Sequence, residues 1–137
     1  MKTALIIALF ALLTVSVFAG SKCGGNCPGG RCPSCPCGQS ARRENAAQWC
    51  AKFSGWNQKC CQCIIHHESG GNGNSMNYNT NGSFDVGLWQ INKVNWKLCG
   101  SAPPCNTKAN FECAKKVWAI GGKSFRLWST SKACGHC

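Results

Sequence analysis

Only four side chains in this sequence supply a carboxylate: Glu44, Glu68, Asp85 and Glu112. Any chemistry that needs two of them must draw on those four. Glu68 follows Cys61, Ile64 and Ile65 at the i, i+3, i+4, i+7 spacing of one helical face. Burial beside apolar side chains disfavours the charged carboxylate, and the C-terminal end of a helix dipole pushes the same way. A Glu so placed is a candidate acid that keeps its proton near neutral pH. The plainer alternative is a Glu that reaches solvent or pairs with a cation. Asp85 has a different setting, among Asn77, Asn79, Thr80, Ser83, Gln90 and Asn92. Polar neighbours that donate hydrogen bonds keep a carboxylate ionised; the alternative is a turn Asp bonding its own backbone. One neutral and one ionised carboxyl, facing each other, suit glycoside hydrolysis. The acid protonates the leaving oxygen and the anion stands beside the oxocarbenium-like transition state. The amides of Asn77, Asn79, Gln90 and Asn92 suit sugar hydroxyls. Trp89 and Trp96 are read either as sugar-stacking rings or as core.

The elements that must position this pair are short. Gln58 to Ser69 reads as a helix stopped by Gly70-Gly71, with Glu68 in its last turn. Thr80-Asn81-Gly82-Ser83 holds an Asn-Gly hairpin signal. Asp85 then starts a return strand over Phe84 to Ile91. A second helix is expected over Ser40 to Phe53, capped by Ser40, and a third over Ala109 to Ile120. Lys93 to Lys108, which holds Pro103-Pro104, reads as loop. No internal repeat is evident.

Residues 1–19 read as a secretory signal peptide: Met1-Lys2 precedes an apolar run from Ala4 to Phe18, with cleavage expected after Ala19. That run is short for a membrane span of roughly 20 residues. Removing 19 from 137 leaves 118 residues, enough for one domain with a modest core. All 14 cysteines fall in that part, an even count that points to an oxidising compartment and a disulfide framework. Connectivity is not readable from spacing. Residues 21–38 are Cys, Gly and Pro with little else and read as a disulfide-stapled arm. The Cys32-Pro-Ser-Cys35 pair raises zinc as the weaker alternative there. Without Lys2, 14 Lys and Arg stand against 4 acids, a formal charge of +10 that draws the protein to anionic surfaces.

From Cys63 to Asn92 the chain resembles the animal-type (c-type) lysozymes and the related alpha-lactalbumins. The resemblance is carried by Cys63-Ile-Ile-His-His-Glu68-Ser69, Asn77-Tyr-Asn79-Thr80-Asn81-Gly82-Ser83 and Asp85-Val-Gly87-Leu-Trp-Gln90-Ile91-Asn92. More loosely it extends from Cys60 to Cys134. It implies an α+β fold, a helical core with a small antiparallel β-hairpin subdomain flanking a cleft, here with a disulfide-rich arm added. The division implied is 1–19 signal peptide, 20–38 arm and 39–137 catalytic domain. By resemblance, Glu68 matches the general acid and Asp85 the nucleophile or ion stabiliser. That family is the type case for this assignment, so the roles come as much from the likeness as from the residues' settings. Asn79, Gln90 and Asn92 match cleft positions and Trp96 a sugar-stacking position. Trp128 stands near a cleft tryptophan, one residue out of step. Alpha-lactalbumins lack the acid pair, so its presence favours the enzyme. The resemblance also implies a Cys63–Cys134 bridge.

The departures are equally specific. The arm has no counterpart in the family. The first family helix looks shortened around Ser40 to Trp56. Cys99, Cys105 and Cys113 stand where the family has four cysteines, so part of the framework must be rewired. Cys50 to Cys137 is taken as the bridge joining the ends. His66 and His67 are read as helix residues beside the acid, not as metal ligands. The expectation is a retaining hydrolase of the β-1,4 bond of bacterial peptidoglycan, with no cofactor and no metal. It would be a monomer reaching the cell exterior or a lysosomal or phagosomal lumen. It would bind peptidoglycan oligosaccharide and anionic bacterial surfaces, not nucleic acid, and would not insert stably in a membrane. The competing class is a cationic antimicrobial or wall-binding protein without catalysis.

Overall fold

Helix α2 spans Gln58–Ser69, the run expected from its periodicity. The Asn57 side chain accepts from the Cys60 N–H at one end, and Gly70 takes the left-handed conformation at the other. This computed structural model describes residues 20–137; the expected signal peptide lies outside the described residues. Helix α3, Thr107–Ile120, begins two residues before its expected start because Asn106 caps it, accepting from the Ala109 N–H. Helix α1 is a larger correction. It covers only Ala46–Ala51, with Asn45 as the cap in place of Ser40. The preceding residues are held in extended pairing: the Glu44 N–H donates to Gly71 O and the Gly73 N–H to Arg42 O. Backbone groups used across the chain in this way are not free for a helix.

Strands β1 (Met76–Tyr78), β2 (Phe84–Val86) and β3 (Ile91–Asn92) form one antiparallel sheet in the order β1-β2-β3. The expected strand from Phe84 to Ile91 is thus broken. At Gly87 the backbone turns with φ +82, and a Cβ there would overlap the Asn110 side chain of α3. Lys93–Cys99, expected as loop, is a 3-10 helix started by the Asn92 side chain and closed by Gly100.

Seven disulfides use all the cysteines, so no thiolate is left for zinc at Cys32 or Cys35. Cys23–Cys35 and Cys27–Cys32 staple the arm, and Cys37–Cys105 ties it to the loop before α3. Cys63–Cys134 is present as the resemblance implied. The Cys50–Cys137 expectation is corrected: Cys50 joins Cys61, and Cys137 joins Cys60. Adjacent helix positions point about 100° apart. Cys61 therefore meets α1 while Cys60 meets the chain end. Cys99 pairs with Cys113.

The core lies between the helices around Trp56, whose ring is 5.0–6.4 Å from those of Phe53, Trp89, Phe111, Trp118 and Phe125. Its ring N–H donates to Cys50 O. This aromatic cluster backs the inner face of α2 and leaves the helix's C-terminal end at the margin of a cleft. No helix among the described residues is long and apolar enough to cross a membrane.

Candidate active site

The four carboxylates divide into two pairs. Glu44 is bound to Arg42, and Glu112 to Lys115. Burial pushes the Glu44 carboxyl up, but hydrogen bonds from Thr107 and Trp49 and the Arg42 charge outweigh it and hold it below its usual range. Glu68 and Asp85 have no cationic partner among the described residues, and both line a cavity of about 420 Å³.

Glu68 is half-buried at the end of α2, where Ile64 and Ile65 are fully buried on the preceding turn. Burial raises its carboxyl from 4.5 to about 7; a hydrogen bond from Thr130 opposes the rise and the nearby Asp85 charge adds to it. The Thr130 hydroxyl donates to Glu68 Oε1 at 2.6 Å. Thr130 is 62 residues away in sequence. It lies on the 3-10 helix Ser129–Cys134, which Cys63–Cys134 fastens to α2. Nothing in the local sequence marks it. Replacing Thr130 by Val should remove the opposing hydrogen bond and drive the Glu68 carboxyl further up. The prediction is read from the carboxyl chemical shift against pH; a midpoint that stays or falls contradicts it.

Asp85 sits at the middle of β2, and sheet register explains its surroundings. It is paired across to Asn77 on β1 and to Asn92 on β3. Asn79 lies two residues beyond Asn77 and so on the same side. The three amides converge on the carboxylate: Asn92 Nδ2 donates to Oδ1 at 2.8 Å, and Asn79 and Asn77 donate to Oδ2 at 3.0 and 3.3 Å. Each contact offers a donor, which suits an anion. The residues expected to bind sugar therefore also hold the carboxylate.

The other expected site residues are placed unequally. Gln90 and Asn92 line the main cavity, and Asn77 a second one beside it; Asn79 lines neither. Gln90 is buried, with φ +48, and its Nε2 donates to Ser75 O and Gly87 O. Trp128 lines the main cavity and its ring N–H donates to Trp89 O at 2.7 Å. Trp96 is buried, with its ring N–H on Ile91 O, and is not in the lining. Trp89 is fully buried core. The cavity lining also includes Val94 and Leu127, which are 66% and 48% exposed and give it an apolar rim that alternation and spacing did not reveal. His66 and His67 are exposed on α2. His67 lies with Cys63 and Cys134, but those sulfurs are bonded to each other and are not free to bind a metal.

Glu68 and Asp85 thus flank one open cavity, in contrasting settings. Comparison with known proteins adds three findings. The lysozyme-like domain family matches residues 44–130. A lysozyme of Bombyx mori is 37% identical over 68 residues, which cover 41% of this chain and 50% of that protein. Sperm acrosome-associated protein 5 of Mus musculus is 30% identical over 99 residues, 61% of each chain. The chain therefore spans only about half to three-fifths of the length of these relatives.

Proposed function

This chain belongs to the lysozyme-like domain family, and from that premise we propose that it is a glycoside hydrolase cleaving the β-1,4 bonds of bacterial peptidoglycan with retention. The observation that carries the reading is the pair of carboxylates on one cavity, one buried and one held by three amides. Glu68 gives its proton to the leaving oxygen. Asp85 stabilises or captures the glycosyl cation. Water then attacks the anomeric carbon while Glu68, now ionised, takes its proton. With the Glu68 carboxyl at about 7, the acid form is present through neutral pH. In the free enzyme kcat/KM should therefore fall as pH rises through about 7. The cavity's apolar rim, Val94 and Leu127, would take the apolar faces of the sugar rings.

The enzyme is assigned to the cell exterior or a degradative lumen, reached through the secretory pathway. Seven disulfides and an N-terminal segment of signal-peptide character support that route. Its positive charge would concentrate it on anionic bacterial surfaces. The same charge favours the competing reading, a cationic wall-binding protein without catalysis. Purified peptidoglycan and proton NMR of the first-formed product separate them. New reducing ends with the β-anomer formed first are the expected result. Inverted product would overturn the two-carboxylate scheme. Bacterial killing without new reducing ends, abolished by salt, would establish the binding protein instead.

A further inference from the structure

The disulfide arm, which resemblance left without a role, reaches the catalytic pair. A second cavity of about 200 Å³, roughly half the size of the main one, is lined by Pro28, Gly29, Ser75, Met76, Asn77 and Gln90 together with Glu68 and Asp85. Both carboxylates line both cavities. A bond broken between them therefore has one flank in the main cavity and the other in this smaller one. Resting on the hydrolase reading, we infer that the Pro28–Gly29 turn is a specificity wall: it forms the outer side of the subsite for the saccharide unit on that second flank.

The arm is built to hold this wall still. Cys27–Cys32 closes a short loop, and the Gly30 N–H donates to Cys27 O, making a turn with Pro28 and Gly29 at its centre. Two residues earlier, Asn26 is fully buried. Its Nδ2 donates to Gly38 O and Ser40 O at 2.9 and 3.1 Å, and its Oδ1 accepts from Asn72 Nδ2 at 2.9 Å. Its backbone carbonyl accepts from the Met76 N–H at 2.7 Å. Met76 begins β1 and lines the same cavity. The arm is thus docked onto the strand that faces the wall, while Pro28 and Gly29 stay exposed to a sugar.

Gly29 supplies the test. Its φ is outside the left-handed region, and a Cβ built there meets only Asn77 Oδ1, at 4.0 Å. A side chain at 29 thus starts toward the cavity without backbone strain. Gly29→Trp should fill the subsite. On a hexasaccharide of β-1,4-linked N-acetylglucosamine, Gly29→Trp is expected to lower kcat/KM by roughly tenfold. It should also shift the bond that is cut, changing the ratio of product lengths. Thermal unfolding monitors the fold. An unchanged product ratio in a folded Gly29→Trp protein overturns the wall. Binding is read separately by titrating the same hexasaccharide into the Glu68→Gln protein and following the Gly29 and Gly30 amide resonances. Those amides should shift with the ligand. If Gly29→Trp does not fold, or if the parent cleaves nothing and the hydrolase reading fails, this titration decides. Amides that stay still while main-cavity resonances move, or that stay still throughout, overturn the inference.

Discussion

Glu68→Gln is expected to lower kcat/KM on purified peptidoglycan by roughly 10²–10⁴-fold, the range that a positioned general acid contributes. Gln fills nearly the same space and can still accept the Thr130 hydrogen bond, but it has no proton to give the leaving oxygen. The same substitution carries a stability signature of opposite sign. Burial raises this carboxyl from 4.5 to about 7, with the Thr130 bond opposing and the Asp85 charge assisting. Between those values the folded protein holds a proton that the unfolded chain has released. Stability therefore falls as pH rises through that window. The loss is on the order of 2–3 kcal/mol by pH 8, for a half-buried group. Gln cannot ionise, so the variant should lose this slope and be more stable than the parent at pH 8, and not at pH 4. Chemical denaturation at the two pH values, with disulfides intact, measures it. Full activity in Glu68→Gln would remove the acid from its role. Parallel stability curves would show that the carboxyl is not desolvated.

What the sequence made legible follows the range of the forces involved. The end of α2 was readable because periodicity and Gly70 act within a turn or two of Glu68. The setting of Asp85 was readable in part, because an Asn-Gly turn places Asn77 opposite it across the sheet; Asn92 comes opposite it only through the turn after Gly87. The start of α1 was not, because Arg42 and Glu44 use their backbone on Gly73 and Gly71, some 30 residues away. Thr130 reaches Glu68 only through a bridge spanning 71 residues. The arm reaches the cleft through Asn26 and a bridge spanning 68. Such contacts leave no local pattern. The tryptophans were ambiguous for another reason. An aromatic ring suits a core and a sugar face equally; all three rings are buried, and only its place in the cavity lining sets Trp128 apart from Trp89 and Trp96.

Asn110→Ala should cost about 3–5 kcal/mol, because one buried amide closes three separate backbone groups. Asn110 is 0% exposed on the inner face of α3. Its Oδ1 accepts from the Trp89 N–H at 2.9 Å, and its Nδ2 donates to Val86 O and Pro104 O at 2.9 and 2.8 Å. Alanine would leave a buried N–H without its acceptor and two carbonyls short of a donor, and would open space beside Gly87. Each unsatisfied buried group costs about 1–3 kcal/mol, and the three share one cavity, so their costs do not simply add. A fall in Tm on the order of 10 °C or more is expected. The effect should also reach the site. Val86 follows Asp85, Trp89 precedes Gln90, and the turn between them is held to α3 by this amide. Loosening it should lower kcat while the seven disulfides preserve the overall fold. Asn110→Asp makes the argument specific: it keeps the acceptor for Trp89 but turns an acceptor toward Val86 O and Pro104 O. It should therefore be no more stable than Asn110→Ala. A loss below about 1 kcal/mol in Asn110→Ala would mean that water replaces all three bonds and that α3 does not set the position of the sheet that carries Asp85.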